Sequence, residues 1–103
     1  MYDIAIIGSG PAGISAVMNA HIRKKNYIWI GKSIGGKIFT AKTIENYPGM
    51  PSITGSKIVE GFKEQIEDMG IVLTEKHVQA VMSLDTHFLI SADNDVIQSK
   101  TVI

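Results

Sequence analysis

An α/β fold of Rossmann-like type, a parallel sheet followed by an antiparallel β-meander, is what this 103-residue sequence predicts. Three observations carry that prediction. Ile4, Ala5, Ile6 and Ile7 form the continuous apolar run of a strand covered on both faces. The run ends at a glycine-rich turn, Gly8-Ser9-Gly10-Pro11-Ala12-Gly13. A helical apolar spacing and a second apolar run, Tyr27 to Ile30, follow at once, which completes a βαβ unit.

Each element has its own local cause. Pro11 suits the first helical position, where its missing N–H would have had no partner, and Ile14, Val17, Met18 and Ile22 continue one helical face to about Arg23. The basic triplet Arg23, Lys24 and Lys25 suits the negative end of that helix. From Gly31 to Ile53, four glycines and two prolines interrupt any periodicity, predicting a long loop too apolar to be a plain linker. A second helix is expected from about Ser56 to Met69, with Ile58, Phe62, Ile66 and Met69 on its apolar face and Gly70 as its stop. Ile71 to Leu73 reads as a short strand, Val78–Leu84 and Phe88–Ile90 as a hairpin, and Val96, Ile97 and Thr101–Ile103 as further strand material. The sequence stops in that apolar strand without a cap or polar tail, which predicts a segment truncated from a longer protein.

Composition narrows the function. The absence of cysteine excludes a disulfide framework, a Cys-based metal or iron–sulfur site and a thiol nucleophile within these residues. No apolar run is long enough to span a membrane and no signal peptide is evident, so the cytoplasm is the expected compartment. The net charge of zero hides an asymmetry. Residues 1–53 carry six Lys/Arg against Asp3 and Glu45, a balance of +4, whereas residues 54–103 carry four Lys against eight acids, a balance of −4. A basic first half with no acid from Tyr27 to Ile44 suits a small anionic ligand, and the neutral total argues against nucleic acid. His21, His77 and His87 lack the spacing of metal ligands.

The turn fits G-x-G-x-x-G between a strand and a helix. In that context Gly8 permits the tight turn, Gly10 lets a diphosphate approach the backbone, and Gly13 lets helix and strand pack closely, with Ser9, Pro11 and Ala12 between them. A dinucleotide site normally adds an acid at the end of the second strand, and Gly31 stands in that place. Gly31-Lys32-Ser33 then has two readings. In one, Lys32 and the serine meet the 2′-phosphate of NADP, making the chain an NADP-binding Rossmann module. In the other, a dinucleotide ribose is bound through backbone and water, and Lys32 is a solvated cation.

The stretches YDIAIIGSGPAG, GGKIFTAKTIENYPGMPSITG, SKIVEGFKEQ and KTVI resemble the N-terminal part of the FAD-binding domain of low-molecular-weight, bacterial-type thioredoxin reductases. The resemblance implies an incomplete three-layer FAD-binding half-domain over residues 1–103, with the NAD(P) domain and its C-x-x-C absent. It implies FAD on the turn: Gly8 to Gly13 at the diphosphate, Gly35, Gly36 and Lys37 along the ribityl chain and flavin, Asn46 near the isoalloxazine, and Val78, with His77 beside it, at adenine. It also implies a homodimeric parent enzyme that takes electrons from NADPH, or from ferredoxin as divergent relatives do, and passes them to a thioredoxin-like disulfide. Two departures from the family pattern are Gly31 at the ribose acid and Lys37 in place of Gln. Gly35-Gly36 as an ordinary turn, Asn46 as a turn former ahead of Pro48-Gly49, Tyr47 as packing, and a non-catalytic FAD-containing binding module remain the competing readings.

Overall fold

The computed structural model describes residues 1–36, 41–50 and 52–103. In chain order the elements are β1 (Tyr2–Ile7), α1 (Pro11–Ile22), β2 (Tyr27–Gly31), α2 (Gly55–Met69), β3 (Thr74–Glu75), β4 (Val78–Ser83), β5 (Phe88–Ala92) and β6 (Asp95–Val102). They form one six-stranded sheet in the order β3-β2-β1-β6-β5-β4. Strands β3, β2, β1 and β6 run parallel, while β5 and β4 add to β6 as an antiparallel meander.

Alternation along β1 and β2 explains their unbroken hydrophobicity. Ile6 and Trp29 face the helices, buried with Ile14 and Val17 of α1 and Ile58, Phe62 and Ile66 of α2. Ala5 and Ile30 face the other way, buried with Ile90 of the meander and flanked by Ile7, Ile28, Val78, Ile97 and Val102. Successive residues of a strand point to opposite faces, so two covered faces leave no position for a polar residue. The result is three layers: helices, parallel sheet, and a meander covering the far face.

The structure departs from the sequence reading in three places. Ile22 is 68% exposed, because α1 meets the core through Ile14, Val17 and Ala20. The expected strand at Ile71–Leu73 is displaced to Thr74–Glu75. The cause is the end of α2: Gly70 turns left-handed at φ 73°, its N–H donates to Glu67 O, and the Ile71 N–H donates to Ile66 O at 3.1 Å. This is a Schellman cap, and it spends Ile71 on the core contact with Ile66 that usually accompanies the motif. Third, the two apolar stubs at Val96–Ile97 and Thr101–Ile103 belong to one strand, β6, which pairs with β5 along its first half and β1 along its second. Ser99 pairs with Phe88 on one side and Tyr2 on the other, is fully buried, and donates its hydroxyl to Thr101 O at 2.8 Å.

At the start of α2, the Thr54 hydroxyl accepts from Lys57 N, one residue before the helix begins. Within the long loop, Ile44 bridges to Ile53 and Tyr47 to Met50, and Gly55 N donates to Ala41 O at 3.0 Å. The loop is thereby folded back against α2, where Tyr47 packs tilted against Phe62 with ring centres 6.2 Å apart.

Candidate dinucleotide cleft at the carboxyl ends of β1 and β2

Strand order reverses at β1, with β2 on one side and β6 on the other, so the carboxyl end of β1 is the crevice where open α/β sheets take ligands. The glycine turn sits there. Gly8 has φ 125°, a conformation closed to ordinary side chains, and its N–H donates to Ile30 O at 2.8 Å. Its carbonyl oxygen accepts from the indole N–H of Trp29 at 2.7 Å. Gly13 lies directly over that carbonyl: a Cβ there would stand 2.0 Å from Gly8 O. A Cβ on Gly10, by contrast, would meet nothing within 4 Å among the described residues. Among the described residues, position 10 is open to an approaching group, whereas position 13 is closed by the chain itself.

The amino end of α1 faces the same space. Gly10 is its N-cap, Pro11 follows, no side chain among the described residues caps it and no acid lies in its first turn. Its N–H groups and the positive end of its dipole therefore stay available to an anion without a competing carboxylate. These features fit a diphosphate.

Next to the turn, a cleft of about 300 Å³ is lined by Ile7, Gly8, Ser9, Ile30, Gly31, Lys32, Lys76, His77 and Val78. Six of the residues singled out in the sequence, Gly8, Ser9, Gly31, Lys32, His77 and Val78, are thus brought together from three separate stretches of chain. Lys32 and His77 are exposed and Val78 is half-buried. Backbone pairing assembles the far wall: Gly31 pairs with Glu75, Lys76 N donates to Gly31 O at 3.1 Å, and Asp93 N donates to His77 O at 2.9 Å.

A side chain at position 31 would collide with Ser9: its Cβ would lie 2.7 Å from Ser9 Oγ and 2.8 Å from Ser9 Cβ, so an acid there would require Ser9 to move. Lys76 is a cation the sequence reading did not single out. Its Nζ lies 2.5 Å from Asp95 Oδ2, and the hydrogen bond to and charge of Asp95 raise its pKa above the usual 10.5. Trp29 was also missed as a support for the turn, since its indole N–H has no signature in a run that otherwise reads as core strand.

The second glycine pair adjoins the first. Gly35 N donates to Ser9 O at 2.7 Å, and a Cβ on Gly36 would lie 3.5 Å from Gly10 Cα. Asn46 is exposed and does not line the cleft. Lys37 lies outside the described residues. Among the described residues no group of three or more His, Asp or Glu could hold a metal, and no helix is long and apolar enough to cross a membrane.

No protein-family model matches the chain. Among curated proteins, it is 42% identical over 72 residues to a thioredoxin reductase of Peptoclostridium litorale, covering 68% of this chain and 23% of that protein. It is 35% identical over its whole length to a thioredoxin reductase of Mycoplasma pneumoniae and to a ferredoxin–NADP reductase of Listeria innocua, covering 33% of each. Among solved structures, a ferredoxin-flavin thioredoxin reductase from Clostridium acetobutylicum superimposes with a TM-score of 0.91 at 37% identity over 98% of this chain and 36% of that one. The thioredoxin reductase of Lactococcus lactis does so with a TM-score of 0.90 at 28% identity, over 99% and 34%. Shared sequence along the chain and a shared sheet topology place it in the thioredoxin reductase family, as a segment spanning between 23% and 36% of the length of these relatives.

Proposed function

We propose that this chain is the FAD-cradling segment of a thioredoxin-reductase-like flavin oxidoreductase. The observation that carries the reading is the cleft at the carboxyl ends of β1 and β2, which gathers Gly8, Ser9, Gly31, Lys32, His77 and Val78 beside the uncapped amino end of α1. In this reading the backbone of Gly8 to Gly13 holds the diphosphate, and Gly10 is the point of closest approach. His77 and Val78 border adenine. Lys32 stands at the ribose end, where Gly31 admits no acid, and the ribose hydroxyls are met by backbone and water. Gly35 and Gly36 lead the ribityl chain away from the turn, with Asn46 toward the flavin ring.

Bound FAD would supply two-electron redox chemistry, while the chain's own residues bind and orient it. The whole protein, in the same reading, is a cytoplasmic homodimer that takes electrons from NADPH or ferredoxin and delivers them to a thioredoxin-like disulfide. Titrating the purified chain with FAD tests the cofactor directly. Uptake with a flavin absorption band supports the reading, and a colourless chain that takes up no FAD rejects it.

A further inference from the structure

Ser9 is the only residue of the glycine turn with a polar side chain, and the fold buries it to 8% exposure. Its hydroxyl donates to the carbonyl of Ser33, and its own carbonyl accepts from Gly35 N. Both bonds leave the glycine turn and land on the loop that follows β2. Gly31 makes this possible, since a Cβ there would stand 2.7 Å from Ser9 Oγ and 2.8 Å from Ser9 Cβ. On its other side the loop abuts α2: a Cβ on Gly35 would stand 2.3 Å from Val59 Cγ2. Segment 33–36 is therefore held between Ser9 and Val59, with Gly36 next to Gly10.

We propose that Ser9 is a positioning residue that fixes the Gly35-Gly36 segment against the diphosphate turn, so that the two halves of an extended dinucleotide meet a single rigid wall. The proposal rests on the dinucleotide reading above. The Ser9 hydroxyl proton is committed to Ser33 O. Position 31 acquires a reason as well: it is glycine because Ser9 occupies the space its side chain would need.

Three variants of the 103-residue chain test this: Ser9→Ala, Gly31→Ala, and Ser9→Gly combined with Gly31→Ala. Amide hydrogen exchange at Gly35 without ligand reads the hydrogen-bonded link itself. Ser9→Ala is expected to speed it about fivefold relative to the amides of β1 and β2, the factor that one ordinary hydrogen bond carries. FAD and ADP are then titrated separately. Since ADP lacks the flavin half, the ratio of FAD to ADP affinity is expected to fall about tenfold in Ser9→Ala and in Gly31→Ala. The double variant is expected to fold better than Gly31→Ala alone, because the nearest atom left to the new methyl is Ser9 N at 3.2 Å. Unchanged exchange at Gly35 overturns the proposal, and so does an equal loss of FAD and ADP. A wild-type chain that binds neither nucleotide overturns the dinucleotide reading instead, and the exchange measurement still decides the role of Ser9.

Discussion

Adding one methyl group at Gly13 tests how closely α1 is packed on β1. Its carbon would stand 2.0 Å from Gly8 O and 2.7 Å from Gly8 C, against an ordinary carbon–oxygen contact of about 3.3 Å. Both neighbours are backbone, so no side chain can swing away. Either α1 lifts from the sheet by roughly an ångström, or the Gly8 carbonyl rotates and abandons the Trp29 indole, which is 1% exposed and 2.7 Å away. Overpacking of this kind costs about 1–3 kcal/mol, and a buried N–H left without its acceptor about 1–3 kcal/mol more. Alanine's better helix propensity returns about 1 kcal/mol. Gly13→Ala should therefore destabilise the chain by roughly 3 kcal/mol, which lowers Tm by more than about 10 °C in a domain of this size. Thermal unfolding followed by circular dichroism measures it. Gly61→Ala is the internal control: the same change, in α2, where a Cβ meets nothing within 4 Å among the described residues, should raise Tm by about 4 °C. If Gly13→Ala melts with the parent while Gly61→Ala behaves as expected, the close helix–strand contact is wrong.

Gly10→Ala separates binding from folding. With no atom of the described residues within 4 Å of a Cβ at position 10, stability should change by no more than the N-cap preference of about 1 kcal/mol, while FAD affinity drops at least about tenfold as the methyl meets the diphosphate. Equal FAD affinity in parent and variant would remove position 10 from the site. At high pH the fold should weaken from about pH 10 upward. Burial raises the Tyr27 phenol above 10.0, so the unfolded chain loses that proton first and stability falls as pH rises through this range. Asp95 raises Lys76 above 10.5, so its contribution is present below that pH and is lost as pH rises through the folded value, the same direction. A Tm that stays flat through about pH 11 would contradict both shifts.

Much of this was legible because the relevant residues are their own signature. Glycine spacing marks the turn, apolar alternation marks two strands covered on both faces, and the capped apolar stripe marks α2. What escaped depends on which partner each residue takes in the folded chain. The strand after α2 starts late because Ile71 is taken by the helix cap, a choice made between Ile66 and Gly70 and invisible in the apolar run itself. Strand β6 reads as two stubs because its partner changes at Ser99, so no single alternation runs its length. Ile22 continues the helical period of Ile14 and Val17, yet it is the last residue of α1 and the helix buries Ala20 instead. In the site, Gly31 reads as a missing acid by sequence distance alone, and only its Cβ direction reveals that it answers to Ser9. Trp29 hides in the same way, as its ring belongs to the core and its N–H to the turn.

The switch of partners along β6 also shapes how the chain reaches this structure. Tyr2 and Ser99, 97 positions apart, are register partners, and Ile7 and Ala5 exchange backbone hydrogen bonds with Ile103 at 2.9 Å. Central strand β1 thus waits on one side until residues 99–103 have been made, and closing so long a loop must precede the contacts that reward it. Before then, β1 presents an unpaired apolar edge. Folding should accordingly be slow, with the βαβ unit forming from nearby sequence and the cofactor end of β1 setting last, when β6 docks.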